Sequence, residues 1–91
     1  MTILTVSTDN LTGHEAITIT VPFRRVVLRE QSHNPQADYI VYDSSDTNGV
    51  YKKAGEETVL WNSQTIMQTV PYTVGYMQTI VGSATFTLEV T

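Results

Sequence analysis

Oxygen-bearing side chains follow one another through the segment Ser44-Ser45-Asp46-Thr47-Asn48-Gly49, which overlaps part of a calcium-binding loop. Such a loop is closed by a bidentate Glu, and here the corresponding position is Gly55, which has no carboxylate. Asp43 and Glu56 or Glu57 can replace that ligand only if the backbone takes a different path. We therefore expect a polar hairpin tip at residues 44–49 and no required metal or other cofactor.

The histidines and hydroxyl groups are the next candidates for chemistry. His14 and His33 each lie beside turn residues, have no metal-ligand spacing to one another, and have no Cys to join them. Ser32 directly precedes His33, but the Gly-x-Ser-x-Gly motif of a nucleophilic serine is absent. Glu56 and Glu57 follow a turn glycine, so we expect them to be solvated. With no recognisable catalytic constellation, we predict a protein that is not an enzyme.

Arginines are concentrated in one predicted strand that begins at Phe23. Because successive side chains of a strand point to opposite faces, Arg25 and Arg29 are expected to share a face with Phe23. The planar guanidinium binds carboxylates bidentately, which favours Arg at interfaces. Two interpretations stay open: these arginines bind acidic groups of a neighbouring subunit, or they pair within the chain with residues such as Asp38 and Asp43.

Residues 67–81 are too apolar to keep one face in water along their whole length. Four side chains in this stretch are interface candidates: Met67, Tyr72, Tyr76 and Met77. Met and Tyr are over-represented in interface cores, which favours a partner surface. The alternative is a central pair of strands that is buried on both faces. Trp61 is expected either to anchor the core or to cap it.

Period-2 alternation of apolar and polar residues dominates the chain. It is clearest at Ala84, Phe86, Leu88 and Val90, which alternate with Thr and Glu. Nine runs have the character of strands: 3–7, 15–21, 23–31, 38–43, 50–52, 58–61, 67–73, 76–81 and 84–90. Asn48-Gly49 is the strongest hairpin signal, because both residues accept a positive φ. We predict one all-β domain over residues 1–91, a small antiparallel sandwich or barrel of about eight strands.

Composition limits the partners that this chain can have. The net charge is −4 with five basic residues, which argues against nucleic acid as a partner. The sequence has no apolar run long enough for a transmembrane helix and no signal-peptide pattern at its start. We expect no membrane partner, and a protein that stays where it is made or leaves as part of an assembly. A chain of 91 residues has a thin core, so we expect a homo-oligomer or a partner-bound state.

Three segments in the middle of the chain carry a family resemblance. They read Phe23-Arg24-Arg25-Val26-Val27-Leu28-Arg29, Ala37-Asp38-Tyr39-Ile40-Val41-Tyr42, and Asn48-Gly49-Val50-Tyr51-Lys52-Lys53-Ala54-Gly55-Glu56. This pattern of a strand, a hairpin and an Ala-Gly-Glu turn resembles small bacteriophage virion proteins with β-sandwich folds. The resemblance is especially to head decoration (cement) and tail accessory proteins. The resemblance covers roughly residues 15–60.

The resemblance implies a protein that docks on an assembled phage capsid and stabilises it, often as a trimer or other oligomer. The implied partners are further copies of the chain and the major capsid or tail protein, in a virion assembled in the host cytoplasm. No catalytic residues carry over. The alternatives are a phage tail or head-tail accessory protein, a subunit of a bacterial secretion or tube assembly, and a glycan-binding, adhesin-like module. A glycan-binding module would need aromatics such as Trp61, Tyr72 or Tyr76 exposed on one face.

Overall fold

The computed structural model describes residues 1–31, 37–63 and 67–91, with the backbone alone at Glu30 and Gln31. This part of the chain contains eight strands and no helix. The strands are β1 (Thr2–Asp9), β2 (Glu15–Ile19), β3 (Arg25–Gln31), β4 (Tyr39–Tyr42), β5 (Gly49–Lys52), β6 (Thr58–Asn62), β7 (Tyr72–Thr79) and β8 (Ser83–Val90). The all-β prediction is confirmed.

The strands form two antiparallel sheets of four strands each, and the sheets pack face to face as a sandwich. Sheet A has the order β1-β8-β3-β6, and sheet B has the order β2-β7-β4-β5. Pairing is nested along the chain, because β1 pairs with β8, β2 with β7, β3 with β6, and β4 with β5. This nested pairing of eight strands over two sheets is the jelly-roll topology, which belongs to the predicted sandwich class.

The core lies between the sheets and is built by the predicted alternation. In β8 the residues Ala84, Phe86, Leu88 and Val90 are buried, while the residues between them are half-exposed. The Phe86 ring meets the Tyr39 ring of sheet B edge-on, with centroids 5.0 Å apart. The buried Tyr39 hydroxyl is satisfied by the Glu56 carbonyl and by Thr58 Oγ1 at 3.0 Å. Aromatic packing and a hydrogen bond thus join the sheets at one point.

The strand predicted over residues 23–31 begins later than expected. Phe23 is fully buried and makes an isolated bridge with Gln68, whereas β3 begins at Arg25. Val26 and Leu28 also face the core, so the alternation is interrupted between Phe23 and Val26. The prediction that the arginines share a face with Phe23 is therefore wrong, because Phe23 points into the core whereas Arg25 is exposed and Arg29 is partly exposed beside Glu57 and Glu89.

Two other predicted elements differ in detail. In place of the separate strands predicted at residues 67–73 and 76–81 there is one strand, β7 (Tyr72–Thr79), and residues 67–71 lie before it with Gln68 in an isolated bridge. Gly49 is not a turn residue with positive φ: it is the first residue of β5 and pairs with Tyr42, and the left-handed residue of the connecting loop is Asp46, with φ of 57°. The β4–β5 loop therefore spans residues 43–48, one residue earlier than the hairpin tip predicted at residues 44–49.

Candidate functional site

The outer face of sheet B carries tyrosines on three neighbouring strands. Because β4 alternates, Tyr39 points into the core while Ile40 and Tyr42 point outward. Tyr42 pairs with Tyr76 of β7, and Ile40 pairs with Tyr51 of β5. Tyr51 is 53% exposed, and the other three are half-exposed. We call the surface formed by Ile40, Tyr42, Tyr51 and Tyr76 the tyrosine face.

Gly49, on the neighbouring strand β5, leaves room for the Tyr42 ring. A Cβ on Gly49 would lie 2.7 Å from Cε1 of Tyr42 and 3.0 Å from Cγ2 of Ile40. Any side chain at this position would displace the tyrosine ring. The glycine that looks like a turn residue in the sequence therefore serves the packing of the tyrosine face.

His14, which directly precedes β2, contacts the same ring across the outer face of sheet B. Its imidazole stacks on the Tyr42 ring with centroids 3.9 Å apart and an interplanar angle of 18°. His14 Nδ1 lies 2.6 Å from the Asp46 carboxylate in the β4–β5 loop. Because β7 separates β2 from β4 in sheet B, these contacts bridge the outer face of β7. The rings of Tyr42 and His14 are therefore held in place before any partner binds.

Tyr51 is also held, although more than half of its surface is exposed. Its hydroxyl donates a hydrogen bond to the Asp38 carboxylate, which also accepts from the Ala54 amide at 2.8 Å. The Tyr51 hydrogen bond lowers the pKa of Asp38, and the same bond raises the pKa of Tyr51. The Lys53 ammonium group lies 5.8 Å from the ring centroid, within cation–π range. An aromatic side chain fixed in this way loses little entropy on binding.

The β4–β5 loop is organised by a single carboxylate. Asp43 accepts hydrogen bonds from the Ser45 and Thr47 amides, at 3.1 and 3.0 Å, and from Asn48 Nδ2 at 2.8 Å. The bonds from Thr47 and Asn48, the Thr47 amide first, lower the pKa of Asp43 to about 2. The Asp43 carboxylate thus holds the backbone and side chains of the loop together. Across the described ranges, no three His or acidic side chains are arranged to hold a metal ion.

The two candidate arginines have different surroundings. Arg29 lies between two carboxylates of its own chain: it hydrogen-bonds Glu57, and its Nε is 2.9 Å from Glu89. The Glu57 hydrogen bond is the largest cause of a raised pKa at Arg29. Arg25 is exposed, and its guanidinium has no ion pair with any described residue. Arg29 is therefore paired within the chain, with Glu57 and Glu89 in place of the expected Asp38 or Asp43.

The four candidates of the apolar stretch are in different places. Met77 is 0% exposed in the core, so the expectation of an interface role for Met77 is wrong and the buried alternative holds there. Tyr72 is half-buried against Phe23, Tyr76 belongs to the tyrosine face, and Met67 is 48% exposed. One stretch of sequence thus supplies both core and surface, because its strand lies inside sheet B with one face inward.

Trp61 packs at the edge of the core. Its ring meets Tyr72 and Phe23 edge-on, with centroids 5.1 and 6.2 Å away. Trp61 and Tyr72 therefore do not share an exposed face with Tyr76, as the glycan-binding alternative required of them. Tyr76 instead shares its face with Tyr42 and Tyr51.

The sequence reasoning missed Tyr42, Tyr51 and the His14–Asp46 pair. The signal for the tyrosines was present, because a hairpin that pairs residues 39–42 with 49–52 places Tyr42 and Tyr51 on one face. The histidine contact carries no local signal, since His14 and Asp46 are 32 residues apart. His33 and Ser32 lie outside the described residues.

Comparison with known proteins adds no relative. No protein-family model, no curated protein and no solved structure matches the chain. Among the described residues, no helix has the length and hydropathy needed to span a membrane. The class that the structure defines is a small jelly-roll sandwich with a tyrosine face on one sheet.

Proposed function

We propose that this protein is a non-enzymatic structural protein of a bacteriophage virion, which docks on the assembled capsid through the tyrosine face and stabilises it. The observation that carries the proposal is the tyrosine face. Three tyrosines share the outer face of one sheet, and the rings of Tyr42 and Tyr51 are fixed by neighbouring side chains. Tyr is enriched in the cores of protein interfaces and among the residues that dominate binding energy.

The fold and the sequence resemblance support the same class of function. Jelly rolls occur in viral capsid proteins and in lectin domains, although a fold by itself does not determine function. Among these options, the resemblance to decoration and tail accessory proteins favours the virion. A tail or head-tail location uses the same surface and differs only in the partner that it contacts.

Co-sedimentation with particles tests this function. Capsids of the phage that encodes the chain, purified without it, are mixed with wild-type protein and with the Tyr51→Ala variant. Tyr51 is 53% exposed, so its truncation leaves the core intact. We expect saturable binding of the wild type and an affinity about 30-fold lower for the variant, the loss typical of an interface hot spot.

The matched control is Leu11→Ala, which truncates an 85% exposed apolar residue in the β1–β2 loop. This variant is expected to bind like the wild type. Wild-type protein that does not pellet with capsids, or a Tyr51→Ala variant that pellets as well as Leu11→Ala, would contradict the proposal.

A second candidate function is glycan binding by the same tyrosine face. Exposed aromatic rings can stack on the apolar faces of sugars, and lectins are among the proteins that use this fold. A glycan array separates the two functions. Binding to a defined sugar that is lost in Tyr51→Ala, together with no binding to capsids, would favour the adhesin-like module.

A further inference from the structure

One side of the sandwich is open between the sheets. β5 is the terminal strand of sheet B and β6 is the terminal strand of sheet A. A groove of about 510 Å³ lies between these two strands, away from the exposed ring of Tyr51. Its volume is within the range of roughly 300–1,000 Å³ that is typical of binding clefts.

Some side chains that line the groove point toward the interior of the sandwich and still remain in contact with solvent. Val50 of β5 pairs with Val41, which packs against the core, yet Val50 is 55% exposed. Leu60 and Trp61 of β6 pack against the core and also line the groove. The groove therefore offers an apolar floor to an occupant with apolar side chains.

Hydrogen-bonding groups in the groove lack partners. Within the described chain, β6 pairs with β3 alone, so one edge of β6 carries unpaired backbone groups. The indole Nε1 of Trp61 is buried and has no hydrogen-bond partner among the described residues. Buried donors are nearly always paired in native proteins, so an acceptor is expected at this position in the bound state.

The charge of the groove favours an acidic occupant. Asp43 and Lys52 are its charged lining residues. The Asp43 oxygens are occupied by donors of their own loop. The Lys52 ammonium group is 3.9 Å from the Glu56 carboxylate, which is beyond hydrogen-bond distance and leaves its donors free for a second carboxylate.

We propose that the groove binds an extended segment of a partner protein, which adds to sheet A as a strand beside β6. The segment has apolar residues at alternate positions, which cover Val50, Leu60 and Trp61, and an acidic residue that pairs with Lys52. Its backbone forms hydrogen bonds with the unpaired edge of β6. The same segment provides a hydrogen-bond acceptor for Trp61 Nε1. The groove shares Tyr42 with the tyrosine face, but Tyr51 and Tyr76 are not among its lining residues, and strand addition at β6 goes beyond the docking function proposed for that face.

The experiment uses a displayed library of eight-residue peptides with apolar residues at alternate positions, selected against the full-length protein. Trp61 is the single tryptophan of the chain, so its emission reports on the groove directly. We expect selected peptides to contain an acidic residue, to shift the Trp61 emission to the blue, and to protect β6 amides from hydrogen exchange.

Variants with a matched control locate the site. Val50→Lys places a charge in the groove and is expected to weaken peptide binding at least tenfold, whereas Val81→Lys, at a 70% exposed position in the β7–β8 turn, leaves it unchanged. Trp61→Phe removes the indole N–H and is expected to weaken binding about tenfold by calorimetry. Circular dichroism confirms that each variant is folded, and Tyr51→Ala binds the peptide normally.

Three outcomes would overturn the proposal. The library yields no peptide that binds; selected peptides bind Val50→Lys as well as Val81→Lys; or the groove takes small apolar dyes while β6 amides gain no protection on addition of peptide. The last result would identify a small-molecule cleft in place of a strand-addition site.

Discussion

Gly75→Ala tests how closely the central strands of sheet B fit together. Gly75 is buried in β7, and a Cβ at this position would lie 2.6 Å from the backbone carbonyl oxygen of Tyr42 in β4. Ordinary contacts between carbon and carbonyl oxygen are about 3.3–3.6 Å, so the two strands must separate by roughly 0.7–1 Å. The obstructing atom belongs to a paired strand and cannot rotate away.

The size of the effect follows from two opposing contributions. Overpacking a well-filled interior costs typically about 1–3 kcal/mol. Replacing glycine in a strand with alanine recovers about 0.5–1 kcal/mol of backbone entropy. The net loss in the free energy of unfolding is about 1–2 kcal/mol. At about 4–8 °C per kcal/mol for a domain of this size, we expect the Tm to fall by roughly 5–15 °C.

Thermal unfolding followed by circular dichroism measures this difference. Gly49→Ala is the control, because the atoms nearest to its new Cβ belong to the Tyr42 and Ile40 side chains, whose displacement costs less than the separation of two paired strands. We expect Gly49→Ala to lower the Tm less than Gly75→Ala. A Gly75→Ala protein that unfolds at the wild-type temperature, or one more stable than Gly49→Ala, would refute the reasoning.

Four further predictions concern charge, metal and assembly. Arg29→Glu is expected to lower the Tm, because it puts a third carboxylate beside Glu57 and Glu89, whereas Arg25→Glu changes the Tm little; equal effects would contradict the pairing. The folded-state pKa of Asp43, about 2, lies below its ordinary value, so its stabilising contribution is present above about pH 4 and is lost as the pH falls toward 2. The Tm difference between wild type and Asp43→Asn should therefore narrow over that interval, and a constant difference would show that the loop hydrogen bonds do not stabilise the fold. EDTA is expected to leave the Tm unchanged; a fall of several degrees that calcium reverses would mean that the β4–β5 loop binds metal. Sedimentation is expected to show an oligomer or a complex with particles, with an interface of at least about 1,000 Å². A stable monomer that does not bind particles would contradict the prediction of an oligomer or a complex.

Alternation within a strand was readable from the sequence, because it depends on burial of one face alone. Ile17 and Ile19 of β2, and the four apolar residues of β8, are buried as predicted. The number of strands and the sandwich class follow from such patterns and from the turn residues between them.

The assignment of faces failed where the alternation is interrupted. Ile17 of β2 pairs with Gly75 of β7 and Thr18 pairs with Thr73, so Val74 has no partner in β2. Val74 and Met77 therefore both face the core, although strict alternation would put residues three apart on opposite faces. Such an irregularity reverses the face of every residue beyond it. Whether Tyr76 or Met77 lies at the surface therefore depends on strand pairing, which a single sequence does not contain.

The candidate site was missed for a related reason. The tyrosine face combines residues from β4, β5 and β7, with His14 before β2, and it exists only once the sheet order is known. Composition directed attention to Arg29 and Met77, which the chain uses for an internal ion pair and for its core.

The most direct test of the account is a cryo-electron microscopy reconstruction of capsids decorated with the protein. Docking through the tyrosine face predicts density in which sheet B lies against the shell, with Tyr42, Tyr51 and Tyr76 at the contact. Density in which sheet A faces the shell, or particles that carry no copy of the chain, would contradict it.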